Sequence, residues 1–359
     1  MISLLTFLPR VLFSKGNPLQ LIFFITSKCN LKCKHCFYKK NLNSTKNELD
    51  IKEIEKISQH TGRLLWFSIT GGEPFLREDI TQIAEVFYRN NKFKILTICT
   101  NGLLCEMIIK AVSEICKKCP KAQVIVYVSV DGLAVTHNRI RGDADGFEKT
   151  IKTIRELKKL KKHFKNFNVA TVTTCSQENQ TEMKDLALFI KNEIKPDNMT
   201  INLVREKKQN NISEKINLKY YFDFIEVQEK AWREKELNYF KFFGSSLLKR
   251  KEYLQKRVLA AVVKKNKWVL PCLAGNISCV MDEIGDLYPC EILDEKIGSL
   301  KDANYNFKRL WHSARANEIR ALIKNTKCYC TYECAITTNI LFSFKGIKNM
   351  IGRKIDRDL

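Results

Sequence analysis

The sequence predicts an α/β fold of repeated βα units around a parallel sheet, followed by a small cysteine-rich module. Short apolar runs rich in β-branched and aromatic residues alternate with longer stretches of helical periodicity. From Pro271 onward the chain changes to closely spaced cysteines, short strands and turns such as Gly285-Asp286. Such a module does not need a large core, because metal binding itself contributes folding free energy.

Six strands are predicted to alternate with helices in the first part of the chain. The strands cover residues 20–26, 64–70, 94–100, 123–130, 167–174 and 199–204. The helices lie near residues 51–60, 79–90, 103–117, 147–163 and 181–193. Asp50 is placed to cap the first of them.

The polar, aperiodic residues 205–218 indicate a boundary between two parts of the chain. On this basis the chain divides into five predicted segments. They are an amphipathic start (1–18), a sheet domain (19–210), a helical connector (211–265), the cysteine module (266–336) and a basic tail (337–359).

The composition fits a protein with a full-sized core and anionic partners. Of its 359 residues 45% are hydrophobic, and 62 Lys and Arg against 39 Asp and Glu give a net charge of +23. Neither a cleavable signal peptide nor a membrane span is predicted, so a cytoplasmic protein is expected. Leu5 and Leu8, and also Ile340 and Phe344, lie on amphipathic faces at the chain ends. Contact with a membrane surface is one interpretation of these faces, and packing against the fold is the commoner one.

Fourteen cysteines in a reducing compartment indicate metal ligands before disulfides. Cys29, Cys33 and Cys36 follow the first strand, with three and then two residues between them. Soft thiolates suit iron–sulfur clusters or zinc, and a closed zinc site needs a fourth ligand. His35 is the nearest candidate, but a residue between two ligands is poorly placed to bind the same ion. The spacing favours a cluster, with zinc as the alternative.

The CX3CX2C loop, followed by GGEP at residues 71–74 after the second strand, resembles the radical S-adenosylmethionine (SAM) superfamily. The resemblance implies a partial (β/α)6 TIM-like barrel, in which a [4Fe–4S] cluster on Cys29, Cys33 and Cys36 leaves one iron open for SAM. It also implies reductive cleavage of SAM to a 5′-deoxyadenosyl radical and a reducing partner such as a flavodoxin or ferredoxin. His35 stands where this family usually has an aromatic residue.

Further segments stand where this family holds SAM, each just after a predicted strand. Glycines allow a close backbone approach, Glu73 suits the methionyl ammonium, and hydroxyl and carboxylate groups suit ribose and carboxylate recognition. The resemblance implies these SAM contacts: Gly71, Gly72, Glu73, Pro74, Thr100, Asn101, Ser129 and Asp131. For the last four, a polar strand end entering a turn is the alternative. Arg139 and Arg141 belong to a similar motif, with either a SAM contact or ordinary salt bridges expected.

The C-terminal cysteines resemble the SPASM/twitch extension of radical SAM enzymes. Cys272, twelve residues, Gly285, four residues and Cys290 match the first half of that motif. The second half, CYCTYEC, has too few cysteines for two clusters, so one auxiliary [4Fe–4S] cluster is implied. Its expected ligands are Cys272, Cys290, Cys330 and Cys334. Cys328 is a close alternative to Cys330.

The remaining cysteines are expected in packing roles. Cys279 lies in a predicted strand and suits a buried thiol as readily as a ligand. Cys116 and Cys119 form a CxxC at a helix end without partners, so we expect them to be structural. Small core or near-core positions are expected for Cys99, Cys105 and Cys175.

The sequence therefore predicts a radical SAM oxidoreductase or maturase whose auxiliary cluster binds substrate or accepts the electron left after hydrogen abstraction. A ribosomal peptide is the first expected substrate, and an alcohol or sugar is the second. A non-catalytic iron–sulfur carrier or regulatory protein is the alternative from another class, but it would need no SAM motifs. Nucleic acid ranks third, since no RNA-binding module is visible.

Overall fold

The computed structural model describes residues 16–205 and 216–351. Six strands alternate with helices in its first part, as the sequence predicts. The elements are β1 Gln20–Thr26, α1 Ile51–Thr61, β2 Trp66–Gly71, α2 Ile80–Asn91, β3 Ile95–Thr100, α3 Cys105–Lys118, β4 Gln123–Ser129, α4 Ala134–Arg141, α5 Gly146–Leu160, β5 Phe167–Cys175, α6 Met183–Phe189 and β6 Asn198–Leu203. The amphipathic start predicted for residues 1–18 lies almost wholly outside the described residues.

Two long helices and the cysteine-rich part follow. Their elements are α7 Leu218–Arg233, α8 Ser245–Lys265, β7 Ser278–Met281, β8 Asp286–Tyr288, β9 Gly298–Ser299, α9 Phe307–Trp311, α10 Ala314–Asn325, α11 Glu333–Phe342 and α12 Phe344–Ile351. Within the described residues, no helix is both long and apolar enough to cross a membrane.

All nine strands of the described residues belong to one open sheet in the order β6-β5-β4-β3-β2-β1-β7-β8-β9. Strands β1 to β6 are parallel neighbours, which is the arrangement of a partial barrel and confirms the predicted fold class. Strand β7 pairs in parallel with the free side of β1, with Gln20 opposite Ser278. The cysteine-rich part therefore extends the barrel sheet instead of forming a sheet of its own.

The two faces of the sheet differ in polarity because side chains alternate along each strand. On the helix-facing side, residues such as Phe23, Phe67, Ile98 and Val126 form one large buried core. On the inner side, polar residues surround an open space. They are Ser68, Thr70, Thr97, Tyr127, Ser129, Thr174, Thr200 and Asn202. The barrel interior is thus a cavity of about 320 Å³ that combines these polar side chains with apolar surface.

Two local predictions have clear outcomes in the structure. Asp50 caps α1 as predicted, since its side chain accepts from the backbone N–H of Glu53 at 2.8 Å and Glu53 returns a hydrogen bond at 2.9 Å. The predicted apolar face of the C-terminal tail is divided, because Ile340 is buried in the core whereas the Phe344 side chain is 86% exposed.

Candidate functional site

The loop after β1 places its three cysteines on the cavity wall. Cys29, Cys33 and Cys36 all line the cavity. Asn43 fixes the start of the loop, because its Oδ1 accepts from the Cys29 backbone N–H at 3.0 Å and its Nδ2 donates to the Cys29 carbonyl at 3.3 Å. Burial raises the pKa of the Cys29 thiol to about 11. Ionisation at neutral pH therefore needs a bound metal centre that stabilises the thiolate.

The two glycines of the GGEP segment bring the end of β2 against this loop. The Gly72 N–H donates to the Thr26 carbonyl and the Glu73 N–H to the Lys28 carbonyl, each at 2.8 Å. A Cβ atom on Gly72 would lie 2.1 Å from the Lys28 oxygen. Gly71 has φ of 132°, and its Cβ would lie 2.4 Å from the Thr26 oxygen. The glycines thus allow a backbone contact that fixes Glu73 beside the cysteines.

Glu73 is a buried carboxylate that faces the cavity. It accepts hydrogen bonds from the Thr100 hydroxyl and the Asn101 backbone N–H, both at 2.8 Å, and from the Phe75 N–H at 3.3 Å. Burial raises its pKa to about 7 against the opposing effect of these donors. A cationic group in the cavity would favour the ionised form, so this carboxylate suits an ammonium ligand.

A buried charge network supports the other side of the cysteine loop. Asp131 Oδ2 lies 2.5 Å from Arg141 Nη2 and 3.3 Å from His35 Nε2. Burial alone would raise the pKa of Asp131, but Arg141 and His35 hold it well below its usual range. The Thr174 backbone N–H donates to Asp131 at 2.7 Å. Arg141 also donates to Cys33 Sγ at 3.7 Å, so the network reaches a predicted ligand directly.

The structure separates the predicted SAM contacts into two groups. Those that line the cavity are Gly71, Gly72, Glu73, Thr100, Asn101 and Ser129. Pro74 instead begins a short helical turn, and Asp131 lies fully buried behind the wall. Asp131 therefore positions His35 and Arg141, which do line the cavity. Arg139 forms an ordinary surface ion pair with Glu178.

The wall formed by Arg205 after β6, by Glu291 after β8 and by helices α8 and α11 is absent from the sequence predictions, except for Cys334. Its cavity-lining residues are Arg205, Lys251, Glu252, Gln255, Glu291, Glu333, Cys334 and Thr337. Arg205 comes directly after the end of β6, so the rule that located the other strand-end residues also applies to it. Helix α8 lies within the segment 211–265, which the sequence predicted only as a helical connector. No residue of this helix was therefore expected in the cavity.

This wall carries buried groups of both charges. Arg205 pairs with Glu291 and lies over the rings of Phe37, at 4.6 Å, and Tyr332, at 4.5 Å. Lys251 Nζ donates to Gln255 Oε1 at 2.8 Å, and burial lowers the pKa of this amine. Such a wall can hold a polar substrate opposite the SAM motifs.

The cysteines predicted as auxiliary ligands, together with Cys328, lie partly close to one another and partly on the wall of the barrel cavity. Cys272 and Cys328 are hydrogen-bonded to each other, and Cys330 lies close to both Cys290 and Cys328. Cys334 lines the barrel cavity instead. Of the six cysteines after Pro271, Cys328 is therefore a neighbour of three, namely Cys272, Cys290 and Cys330.

The other cysteines mostly lie in the core. Those that are buried are Cys116, Cys119, Cys175 and Cys279. Cys99 departs from the expected core position, because it lies on the inner side of β3 and faces the cavity. The surrounding protein still raises its pKa to about 12 by desolvation.

The donor set fits iron–sulfur clusters better than a single ion. Within residues 16–205 and 216–351, no three Cys, His, Asp or Glu side chains converge closely enough to bind one metal ion. A four-iron cubane holds its thiolates farther apart than one ion does and accepts hydrogen bonds at its sulfurs. The Leu31 N–H donates to Cys29 Sγ at 3.4 Å, and the Leu293 N–H donates to Cys290 Sγ at 3.3 Å.

Comparison with known proteins identifies the domain that contains this site. Residues 23–190 match the sequence profile of the radical SAM superfamily. These residues are a radical SAM domain. The matched range includes the cysteine loop, GGEP and the strand ends that line the cavity, and SAM and a [4Fe–4S] cluster are the cofactors of such domains, as the sequence predicts.

The radical SAM domain is similar to parts of larger curated proteins. One is Fe-coproporphyrin III synthase of Methanosarcina barkeri, 30% identical over 39% of this chain and 34% of that protein. Another is the antilisterial bacteriocin subtilosin biosynthesis protein AlbA of Bacillus subtilis, 33% identical over 38% of this chain and 29% of that protein. The matches thus span about a third of the relatives' length.

Two solved structures share the fold over most of the chain. The structure of anSMEcpe with bound AdoMet and the Cp18Cys peptide has a TM-score of 0.59 at 22% identity, covering 88% of this chain and 85% of that chain. SuiB of Streptococcus suis bound to precursor peptide SuiA has a TM-score of 0.58 at 18% identity, covering 85% of this chain and 67% of that chain. The likeness extends well beyond residues 23–190.

Proposed function

We propose that this protein cleaves SAM reductively at a [4Fe–4S] cluster held by Cys29, Cys33 and Cys36, and abstracts a hydrogen atom from a substrate in the cavity. The observation that carries the proposal is one cavity lined by all three cysteines and by the buried carboxylate Glu73. The bound cluster supplies the electron that breaks the sulfonium bond of SAM.

The residues around the cysteines have separate tasks in this proposal. Glu73 pairs with the methionyl ammonium, since burial leaves its carboxylate in need of a cation. Arg141, fixed by Asp131, holds the cysteine loop in place and presents positive charge to the SAM carboxylate. Thr100 and Asn101 orient Glu73. Ser129 offers a hydroxyl to the ribose.

We further propose that an auxiliary [4Fe–4S] cluster in the C-terminal part accepts the electron left after hydrogen abstraction. The neighbouring thiols of that part and the cavity beside them support this role. A ribosomal peptide is the proposed substrate. AlbA is named for bacteriocin biosynthesis, SuiB is bound to a precursor peptide, and anSMEcpe is bound to a peptide.

The central test is SAM cleavage by anaerobically reconstituted protein with dithionite. We expect 5′-deoxyadenosine from the natural protein and none from Cys33→Ala. Cys175→Ala is the matched control, because Cys175 is buried in the core and does not line the cavity. Equal 5′-deoxyadenosine formation by Cys33→Ala would refute the cluster assignment.

The substrate proposal needs its own experiment. Short peptides encoded beside this gene are incubated with the reconstituted enzyme and SAM, and their masses are measured. A peptide that loses hydrogen atoms only when SAM is present supports a maturase. Modification of an alcohol or sugar but of no peptide would replace the peptide proposal and leave the SAM chemistry intact.

A further inference from the structure

Apart from Cys279 in the core, the C-terminal cysteines differ in their immediate neighbours. Cys272 and Cys328 share a hydrogen bond between their thiols, and Cys330 lies close to both Cys290 and Cys328. Glu291 and Arg205 are the charged groups that act most on the pKa of the Cys334 thiol. Cys328 is therefore a neighbour of Cys272, Cys290 and Cys330, whereas Cys334 packs with Cys290 and Cys330 on the apolar cluster around Tyr332.

Backbone hydrogen bonds to sulfur occur at three of these four cysteines. Backbone N–H groups donate to Cys272 from Ala274, to Cys290 from Leu293 and to Cys330 from Tyr332. In each case the donor lies two or three residues after the cysteine. Sulfur that carries negative charge, as in a cluster ligand, is stabilised by such donors.

The cysteine loop of the radical SAM domain shows this pattern as well. The Leu31 N–H donates to Cys29 at 3.4 Å, and the Tyr38 backbone N–H donates to Cys36. In two core cysteines the thiol is the donor instead of the acceptor. The thiols of Cys119 and Cys279 donate to backbone carbonyls, each at 3.9 Å. Backbone N–H donors to sulfur are thus present at Cys29, Cys36, Cys272, Cys290 and Cys330, whereas Cys119 and Cys279 donate to carbonyls.

Cys334 points into the cavity because of how α11 docks. The Glu333 carboxylate accepts from the Leu203 N–H at 2.9 Å, and the Glu333 carbonyl accepts from Gln255 Nε2 at 3.2 Å. These bonds fix the first turn of α11 against the end of β6 and against α8. Cys334 follows Glu333 and faces the same cavity as Cys99. Cys328 and Cys330 lie in the segment before this helix, where Cys328 is near Cys272 and Cys330 is near Cys290.

We infer that the auxiliary cluster is held by Cys272, Cys290, Cys328 and Cys330, and that Cys334 is a thiol of the substrate cavity. This assignment rests on the proposed auxiliary cluster. It changes the sequence-based ligand set at one position, with Cys328 in place of Cys334. All four sites of the cluster are then occupied by protein, and the substrate meets a free thiol on the wall opposite the SAM motifs.

Iron content tests the assignment without knowledge of the substrate. The starting protein carries Cys29→Ala, Cys33→Ala and Cys36→Ala together, so that only the C-terminal cluster remains, and about four irons per chain are expected after reconstitution. Adding Cys334→Ala should leave about four irons. Adding Cys328→Ala should remove the cluster or convert it to a form with a changed EPR spectrum. Circular dichroism of each variant checks the fold, since metal binding and folding are coupled.

Alkylation of the natural protein gives a second measurement that needs no substitution. Reconstituted protein is treated with iodoacetamide before and after iron removal by a chelator, and modified cysteines are mapped by mass spectrometry. We expect the Cys328 rate to rise at least tenfold when iron is removed. The Cys334 rate should stay within about twofold, because no iron covers that thiol.

The outcomes separate this assignment from the function on which it rests. A folded starting protein that binds no iron contradicts the proposed auxiliary cluster and, with it, the assignment. Loss of iron on adding Cys334→Ala, or full retention of iron and spectrum on adding Cys328→Ala, overturns the assignment alone. A Cys334 alkylation rate that rises together with that of Cys328 would also overturn the assignment alone.

Discussion

The two groups of cysteines are assembled in different ways. In the radical SAM domain, all three lie within residues 29–36, on one loop after β1. In the C-terminal part, the cysteines are spread from residue 272 to residue 334, across strands and helices. A short loop brings its cysteines together through chain connectivity alone. A dispersed set depends on how distant elements pack, so spacing identified the first group and was insufficient for the second.

The two groups also differ in how the protein supports them. Asn43 fixes Cys29, and the buried Asp131 holds Arg141, which reaches Cys33. The chain at Cys328 and Cys330 is held instead by the Cys328 N–H, which donates to the Ile323 carbonyl at 3.0 Å, and by the exposed Tyr329 hydroxyl, which donates to the Asn266 carbonyl at 2.7 Å. We therefore expect the first group to be largely preformed and the second to depend more on iron.

Loss of the Asp131 charge is expected to have the largest effect. Asp131→Asn leaves the buried Arg141 without its counterion, so the free energy of unfolding should fall by about 3–5 kcal/mol. Urea unfolding of the iron-free protein measures this. Glu85→Gln, which removes an exposed ion pair with Lys118, should cost less than about 1 kcal/mol. Similar costs for the two variants would show that the first group is not preformed.

Removal of the Glu73 charge should weaken SAM binding without loss of iron. Glu73→Gln deletes the carboxylate proposed to pair with the ammonium, and charge-assisted hydrogen bonds contribute about 1.5–3 kcal/mol, or roughly 10- to 100-fold in affinity. The Kd for SAM of the reconstituted protein measures the effect. Glu78→Gln is the control, since Glu78 is exposed close by. Unchanged affinity in Glu73→Gln would remove Glu73 from the proposed site.

Iron binding should slow amide hydrogen exchange more around the C-terminal cysteines than in the cysteine loop after β1. On reconstitution, amide hydrogen exchange of residues 328–331 is expected to slow about tenfold more than that of residues 29–38, because the loop near Cys29 already has fixed partners. Hydrogen exchange followed by mass spectrometry compares the two segments in one sample. Equal slowing would contradict the difference in preorganisation.

The smallest expected effect is the loss of stability on replacing Cys279. Comparison with Cys290 tests whether Cys279 is a core thiol or a cluster ligand. Cys279 is fully buried in β7, so Cys279→Ala should cost about 1 kcal/mol of stability and leave the iron content unchanged. Cys290→Ala should remove the C-terminal iron. Iron analysis and urea unfolding of both variants provide the comparison. Iron loss in Cys279→Ala would place that thiol among the ligands.

Much of the fold was predictable because it depends on local pattern. The strand at 123–130 was found as Gln123–Ser129, and the strand at 199–204 was found as Asn198–Leu203. Helix α4 was missed, since Ala134–Arg141 is short and only weakly amphipathic. The role of α8 was missed for another reason. Lys251 and Gln255 reach the cavity only after the helix packs beside β6, where Asn198 Nδ2 donates to Glu252 Oε1 at 3.2 Å.

The sequence by itself determined the parallel sheet, the cysteine loop and the strand ends that form the SAM site. These features follow from periodicity and from the rule that parallel strands gather their carboxyl ends at one edge. Only the tertiary structure decided that Asp131 lies behind the wall and that Cys334 faces the cavity. Both depend on contacts between elements distant in the chain, such as Glu333 with Leu203, and residue spacing does not encode the direction in which a docked helix points its side chains.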